Sequence, residues 1–132
     1  MQIIENPPMA GLDELQDILI RESPGGIVDI WVCINPLYVA AEHGGSIVGV
    51  ASISMAGDAA EIYKIYVAPS QRRRGVAKKL FNEALLRLRR HGIKEVFLEM
   101  ASEAGLALLQ AVVLDHQIRK YDDKKYGIQL GG

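Results

Sequence analysis

One stretch limits what this chain can fold into more than any other. Residues 63–79 begin with an apolar, partly β-branched run, Tyr63-Lys64-Ile65-Tyr66-Val67. Ala68-Pro69-Ser70-Gln71 and three arginines, Arg72, Arg73 and Arg74, then lead to Gly75. Beyond Gly75, apolar residues fall at 77, 80, 81, 84, 85 and 88, the one-faced stripe of an amphipathic helix. A strand that feeds a helix through a short turn aims the helix's unpaired N–H groups at whatever lies ahead. The positive end of the helix dipole points the same way, so the turn reads as an anion site, and a compact phosphate is the natural occupant.

The totals confine such a site to one place. With 132 residues the chain has the size of one domain, residues 1–132, and can bury a core without metal or disulfide. Net charge is −1, so attraction to nucleic acid or an anionic membrane is not a global property, and any basic site is local. Cys33 is the sole cysteine and rules out an intrachain disulfide. The first residues lack the basic and apolar regions of a signal peptide, and no apolar run reaches bilayer length. These readings lead us to expect a soluble, cytoplasmic protein.

The remaining segments read as an alternation of strands and helices. Residues 2–4 suggest a short strand, stopped by Asn6-Pro7-Pro8, and residues 12–20 have helical spacing. Residues 27–36 fit either a short helix or a strand. Residues 37–42 and 47–55 predict a hairpin around His43-Gly44-Gly45-Ser46, and residues 61–67 a third strand after Ala56-Gly57-Asp58. A helix follows over 77–91, stopped by Gly92, then a strand over 94–100, placed to lie parallel to 61–67. A further helix is expected from Ser102 or Glu103 to about Val113, and a last hairpin from 117–121 and 126–130 around Asp122-Asp123-Lys124-Lys125. The order is that of an α/β domain with a mixed sheet.

The turn contains neither a P-loop nor a dinucleotide fingerprint. Arg72-Arg73-Arg74-Gly75-Val76-Ala77, behind the strand ending Tyr66-Val67-Ala68-Pro69, resembles the [Gln/Arg]-x-x-Gly-x-[Gly/Ala] acetyl-CoA signature of the GNAT superfamily of N-acetyltransferases. Residues 61–100 are similar to that family's fourth strand, third helix and fifth strand. The resemblance implies a mostly antiparallel twisted sheet, with helices on both faces and a splay between strands 4 and 5. It implies acetyl-CoA as cofactor, with the pyrophosphate on Gly75, Val76 and Ala77, and the charges of Arg72, Arg73, Arg74 and Lys78 or Lys79 nearby. Gly75 suits the role because a missing Cβ lets backbone approach phosphate closely. It further implies a bulged fourth strand whose free backbone groups, at Ile65, Tyr66 and Val67, dock the pantetheine arm and hold the thioester oxygen.

The chemistry needs a base for an alkylammonium and a proton for the departing thiolate. Glu61 matches a position where many family members carry a carboxylate that acts through water. The family's Asn-x-x-Ala-x-x-Leu-Tyr pattern fits best with Ser102, Gly105 and Leu109, so no hydroxyl stands at the tyrosine position. Val113-Leu114 likewise replaces the usual Gly-Phe. The donor is then Tyr121 or Tyr126, or water, or catalysis is lost. Cys33 reads as a small core residue rather than an acyl relay. His43, His91 and His116 do not share metal-ligand spacing, so no metal site is expected. Arg87, Arg89 and Arg90 sit where a helix C-terminus attracts cations regardless of function.

Only residues 10–36 are available for the first helix pair, which in this family shapes the acceptor pocket. A cleft left open that way suits an exposed protein or peptide amine, or a second copy completing the site as a homodimer. Three readings result: transfer of acetyl from acetyl-CoA to a primary amine by direct attack; a GNAT-fold module that binds CoA or a partner without transfer; and a nucleic-acid binder using the arginines, which the net charge disfavours.

Overall fold

The computed structural model of the chain describes residues 1–25, 29–99, 117–121 and 125–130. Seven strands form one sheet in the order β1-β2-β3-β4-β5-β7-β6. They are β1 (Gln2–Glu5), β2 (Pro36–His43), β3 (Ser46–Ala56), β4 (Ala59–Val67), β5 (Glu95–Glu99), β6 (Gln117–Lys120) and β7 (Lys125–Gln129). Two helices, α1 (Met9–Glu22) and α2 (Val76–Arg90), complete the described elements. Every neighbouring pair is antiparallel except β4–β5, which is parallel and bridged by α2. The mixed α/β class and the parallel crossover are those expected.

Turn chemistry sets the meander. Gly44 and Gly45 both take positive φ, +60° and +82°, the type I′ pattern whose twist matches a two-residue hairpin. At the next hairpin only Gly57 does, at +61°, which is the type II′ arrangement. Alternation along β2 then sends side chains to two cores. Leu37, Val39 and Ala41 join Leu80, Phe81, Ala84, Leu85 and Leu88 of α2 on one face. Tyr38 and Ala40 join Leu12, Leu15 and Leu19 of α1 on the other. A strand buried on both faces reads as a continuous apolar run, as β2 does. Gly49 allows α2 to lie close: a Cβ there would meet Leu80 Cδ1 at 3.0 Å and the Tyr66 carbonyl at 3.2 Å.

The segment left between helix and strand is neither over Asp29–Asn35. Side chains from other elements take up its backbone groups instead. Ile30 donates its N–H to Gln16 Oε1 at 2.9 Å, and its carbonyl accepts from Ser52 Oγ at 2.6 Å. Val32 N–H donates to the Tyr38 hydroxyl at 2.9 Å, and Ser54 Oγ donates to the Ile34 carbonyl at 2.8 Å. No ladder is needed once these partners exist. The expected helix over 102–113, with Ser102, Gly105, Leu109 and Val113-Leu114, lies outside the described residues, as do Ile27, Met100, His116, Asp122, Asp123 and the last two glycines.

Two features of β4 prepare the site. Its register against β3 jumps between Ser52↔Lys64 and Ile53↔Ile62, so Tyr63 is an extra, bulged residue. Its pairing with β5 runs from Ala59↔Glu95 to Ile62↔Leu98. Toward Val67 the strand stays paired with β3, from Ser52↔Lys64 to Gly49↔Val67. The bulge was implied by the family resemblance.

Candidate functional site

The turn that follows β4 is built from backbone. Val67 ends the strand, Pro69–Gln71 makes one 3₁₀ turn, and α2 starts at Val76. Arg73 and Gly75 take positive φ, +65° and +75°. At Gly75 a left-handed conformation is cheap only without a Cβ. Space is not what demands the glycine, since a Cβ built there meets nothing within 4 Å. What lies before it is an open recess of about 220 Å³, lined by Arg72, Arg73, Gly75, Val76, Ala77 and Lys78 among others. The first bond of the helix runs from Lys79 N–H to the Gly75 carbonyl at 3.0 Å, and no side chain caps the start. The amides of Val76, Ala77 and Lys78 are therefore surplus donors at the positive end of α2. That donor set fits a diphosphate, and the recess is the volume a side chain at 75 would fill.

The basic residues do not behave alike. Arg72, Arg73, Arg74 and Lys78 are all exposed. Arg72 has its fork engaged within the chain. Its Nη1 and Nη2 donate to the two carboxylate oxygens of Glu22, at 2.5 and 2.7 Å, and its Nε donates to the Val67 carbonyl at 3.1 Å. Its guanidinium also stacks 5.6 Å from the Tyr66 ring centroid. Arg72 thus lines the recess with its fork engaged on Glu22. The Tyr66 hydroxyl donates to the same carboxylate at 2.8 Å. These bonds, Arg72 first and Tyr66 next, hold the Glu22 carboxyl below its usual range, and the bond to Glu22 raises Arg72. Burial first, and the Glu22 bond second, push the Tyr66 phenol up to about 12. Nothing in the sequence pairs residue 22 with residue 72, fifty positions on.

A second cleft, of about 450 Å³, opens where β4 and β5 meet and is lined by Glu61, Tyr63, Phe97, Glu99, Tyr121 and Lys125 among others. Glu61 is exposed and sits between Ser54 of β3 and Phe97 of β5. Tyr121 packs on Phe97, ring centroids 5.5 Å apart, and donates its hydroxyl to Glu95 Oε2 at 2.7 Å. The ring lies over Gly127, where a Cβ would come within 2.6 Å of it. The two tyrosines proposed from sequence therefore separate. Tyr126 pairs with Leu98 and packs against the α2 core, on the face opposite Glu61. Tyr121 shares the cleft with Glu61. Ile65, Tyr66 and Val67 lie on the strand between the two clefts, where Tyr63 to Val67 spans about 13 Å at strand rise.

Other candidates sit apart. Cys33 is exposed in the irregular segment. Arg87 is held by Glu5, Glu83 and the Ile3 carbonyl, and His91 lies 3.5 Å from Glu5. Among the described residues no three His, Cys, Asp or Glu side chains gather as a metal site, and no helix is long and apolar enough to cross a membrane.

Solved structures with this architecture are numerous. GCN5 of Tetrahymena superposes with a TM-score of 0.77 at 13% identity, covering 99% of this chain and 97% of that one. An aminoglycoside 6′-N-acetyltransferase complexed with coenzyme A also gives 0.77, at 16% identity over 100% and 98%. The ribosomal-protein-S18-alanine N-acetyltransferase of Escherichia coli gives 0.69, at 18% identity over 96% and 89%. Identities this low speak for the fold alone. No curated protein matches the sequence. The model of the acetyltransferase (GNAT) family, however, matches residues 10–111, most of the chain, and covers β2 to β5 with the turn between. On that match, and with the bulged β4, the parallel β4–β5 pair and the open turn before α2, the chain belongs to the acetyltransferase (GNAT) family.

Proposed function

We propose that this chain is an acetyl-CoA-dependent N-acetyltransferase that acylates a primary amine by direct attack. The observation that carries the reading is the left-handed Gly75, with open space ahead of it and three surplus amides behind it. In this reading Gly75, Val76, Ala77 and Lys78 hold the cofactor's diphosphate by main chain, with Arg73, Arg74 and Lys78 supplying charge around it. The main chain of β4 beyond its bulge carries the arm, and Ile65, Tyr66 and Val67 are the residues we assign to it. When bound, acetyl-CoA supplies the electrophilic carbonyl carbon.

The amine arrives as an ammonium, with a pKa of about 10.4, and must lose a proton before it attacks. Glu61 is the base we assign, acting directly or through water. As the new N–C bond forms and the C–S bond breaks, the leaving group needs a proton. Tyr121 is the donor we assign, because it shares the cleft with Glu61 and Tyr126 does not. To donate, the hydroxyl turns from Glu95 Oε2 to the departing sulfur, and solvent water returns the proton.

Calorimetric titration with acetyl-CoA, paired with thiol release over a panel of primary amines, tests this reading. Binding with turnover supports it, and failure to bind at millimolar cofactor ends it. A second reading, a module that binds CoA without transfer, is favoured by Leu109 standing where the family carries a tyrosine. It requires binding with no thiol release on any amine of the panel.

A further inference from the structure

A glutamate is an odd last residue for a helix. The C-terminal end of a helix dipole is negative, and a carboxylate there is disfavoured. Glu22 nonetheless ends α1, and its carboxylate reaches across to another part of the fold. It accepts two bonds from Arg72 and one from Tyr66, so one side chain ties α1, β4 and the turn together. Arg72 is also anchored to the turn by two bonds of its own. Its backbone N–H donates to the Pro69 carbonyl at 3.4 Å, and its Nε to the Val67 carbonyl. From Arg73 onward the turn holds two left-handed residues until Gly75 accepts the first helix bond.

We infer that Glu22 is a positioning residue for the diphosphate turn, holding the Arg72 fork so that Arg72 acts as a strut rather than an anion ligand. The inference rests on the CoA reading given above. A planar guanidinium matches a carboxylate with two parallel bonds, and this geometry fixes orientation in a way a lysine cannot. Three donors of Arg72 are already engaged, two of them on the carboxylate. An incoming phosphate would have to displace a matched carboxylate to use them. Glu22 therefore helps the cofactor by fixing backbone, at a distance from it.

The rival arrangement makes the opposite prediction. Were Arg72 a phosphate ligand, Glu22 would compete for it, and removing the carboxylate charge would tighten binding. The test compares wild type, Glu22→Gln, Arg72→Lys and Tyr66→Phe. CoA affinity is measured by calorimetry, and amide hydrogen exchange across residues 72–75 is measured without cofactor. The strut predicts a several-fold weaker Kd for both Glu22→Gln and Arg72→Lys, a smaller loss for Tyr66→Phe, and faster exchange in the turn, with the global Tm little moved. Unchanged or tighter CoA binding by Glu22→Gln overturns the inference, as does unchanged exchange at residues 72–75. Wild-type protein that binds no CoA instead removes the cofactor reading, and the exchange comparison then still decides whether Glu22 holds the turn.

Discussion

The two clefts along β4 are made differently. The recess before α2 is assembled from consecutive residues, and its donors are main-chain amides that any sequence able to form the turn presents. The cleft at the β4–β5 junction is assembled from side chains on β4, on β5, after β6 and at the start of β7, and it exists only once those strands are paired. The first depends on conformation and the second on register. A substitution in the turn should thus act on cofactor affinity, and one at the junction on turnover.

Four perturbations press on that division. Gly75→Val should act most strongly, because a β-branched side chain is strained at φ +75° and also fills the recess. Losing two bonds to a charged group implies a rise in the Kd for CoA on the order of a thousandfold. The left-handed strain should cost about 1–2 kcal/mol of stability, read as a lower Tm. Gly75→Asn tolerates the backbone better and separates strain from blockage. Second, Glu61→Gln should lower kcat by about a hundredfold while leaving the CoA Kd unchanged. A comparable loss of affinity would merge the two clefts into one function.

Third, Tyr121→Phe should lower kcat by about tenfold, with water taking over as donor, while Tyr126→Phe leaves it alone. The reverse order would put the chemistry on the wrong face of the sheet. The smallest effect concerns pH. Glu22 is held below its ordinary value, so its contribution to stability is present above that value and is lost as pH falls through the lowered one. Tyr66 mirrors it: raised from 10.0 to about 12, it contributes fully below 10.0 and loses that contribution as pH rises through about 12. Thermal melts across pH should therefore soften at both ends, and Glu22→Gln should flatten the acid limb.

The same division explains what could be read from the sequence. The α2 stripe, the two glycine hairpins and the Arg72–Ala77 turn are local patterns, and each appears in the fold within a residue or two of where it was expected. Residues 29–35 were ambiguous because their hydrogen bonds go to Gln16, Tyr38, Ser52 and Ser54, partners that no local periodicity announces. Arg72 matched the family pattern by type, yet its partner lies fifty positions away at the end of α1. Tyr121 and Tyr126 could not be told apart because strand parity decides their faces, and the register of β7 against β5 sets that parity.

An amide-resolved NMR titration of the ligand-free protein with CoA tests the central claim most directly. The account predicts that the largest shifts fall on Gly75, Val76, Ala77 and Lys78, followed by Tyr63 to Val67, with β1 and β6 little changed. Shifts centred anywhere else, or no shifts at saturating CoA, would contradict it.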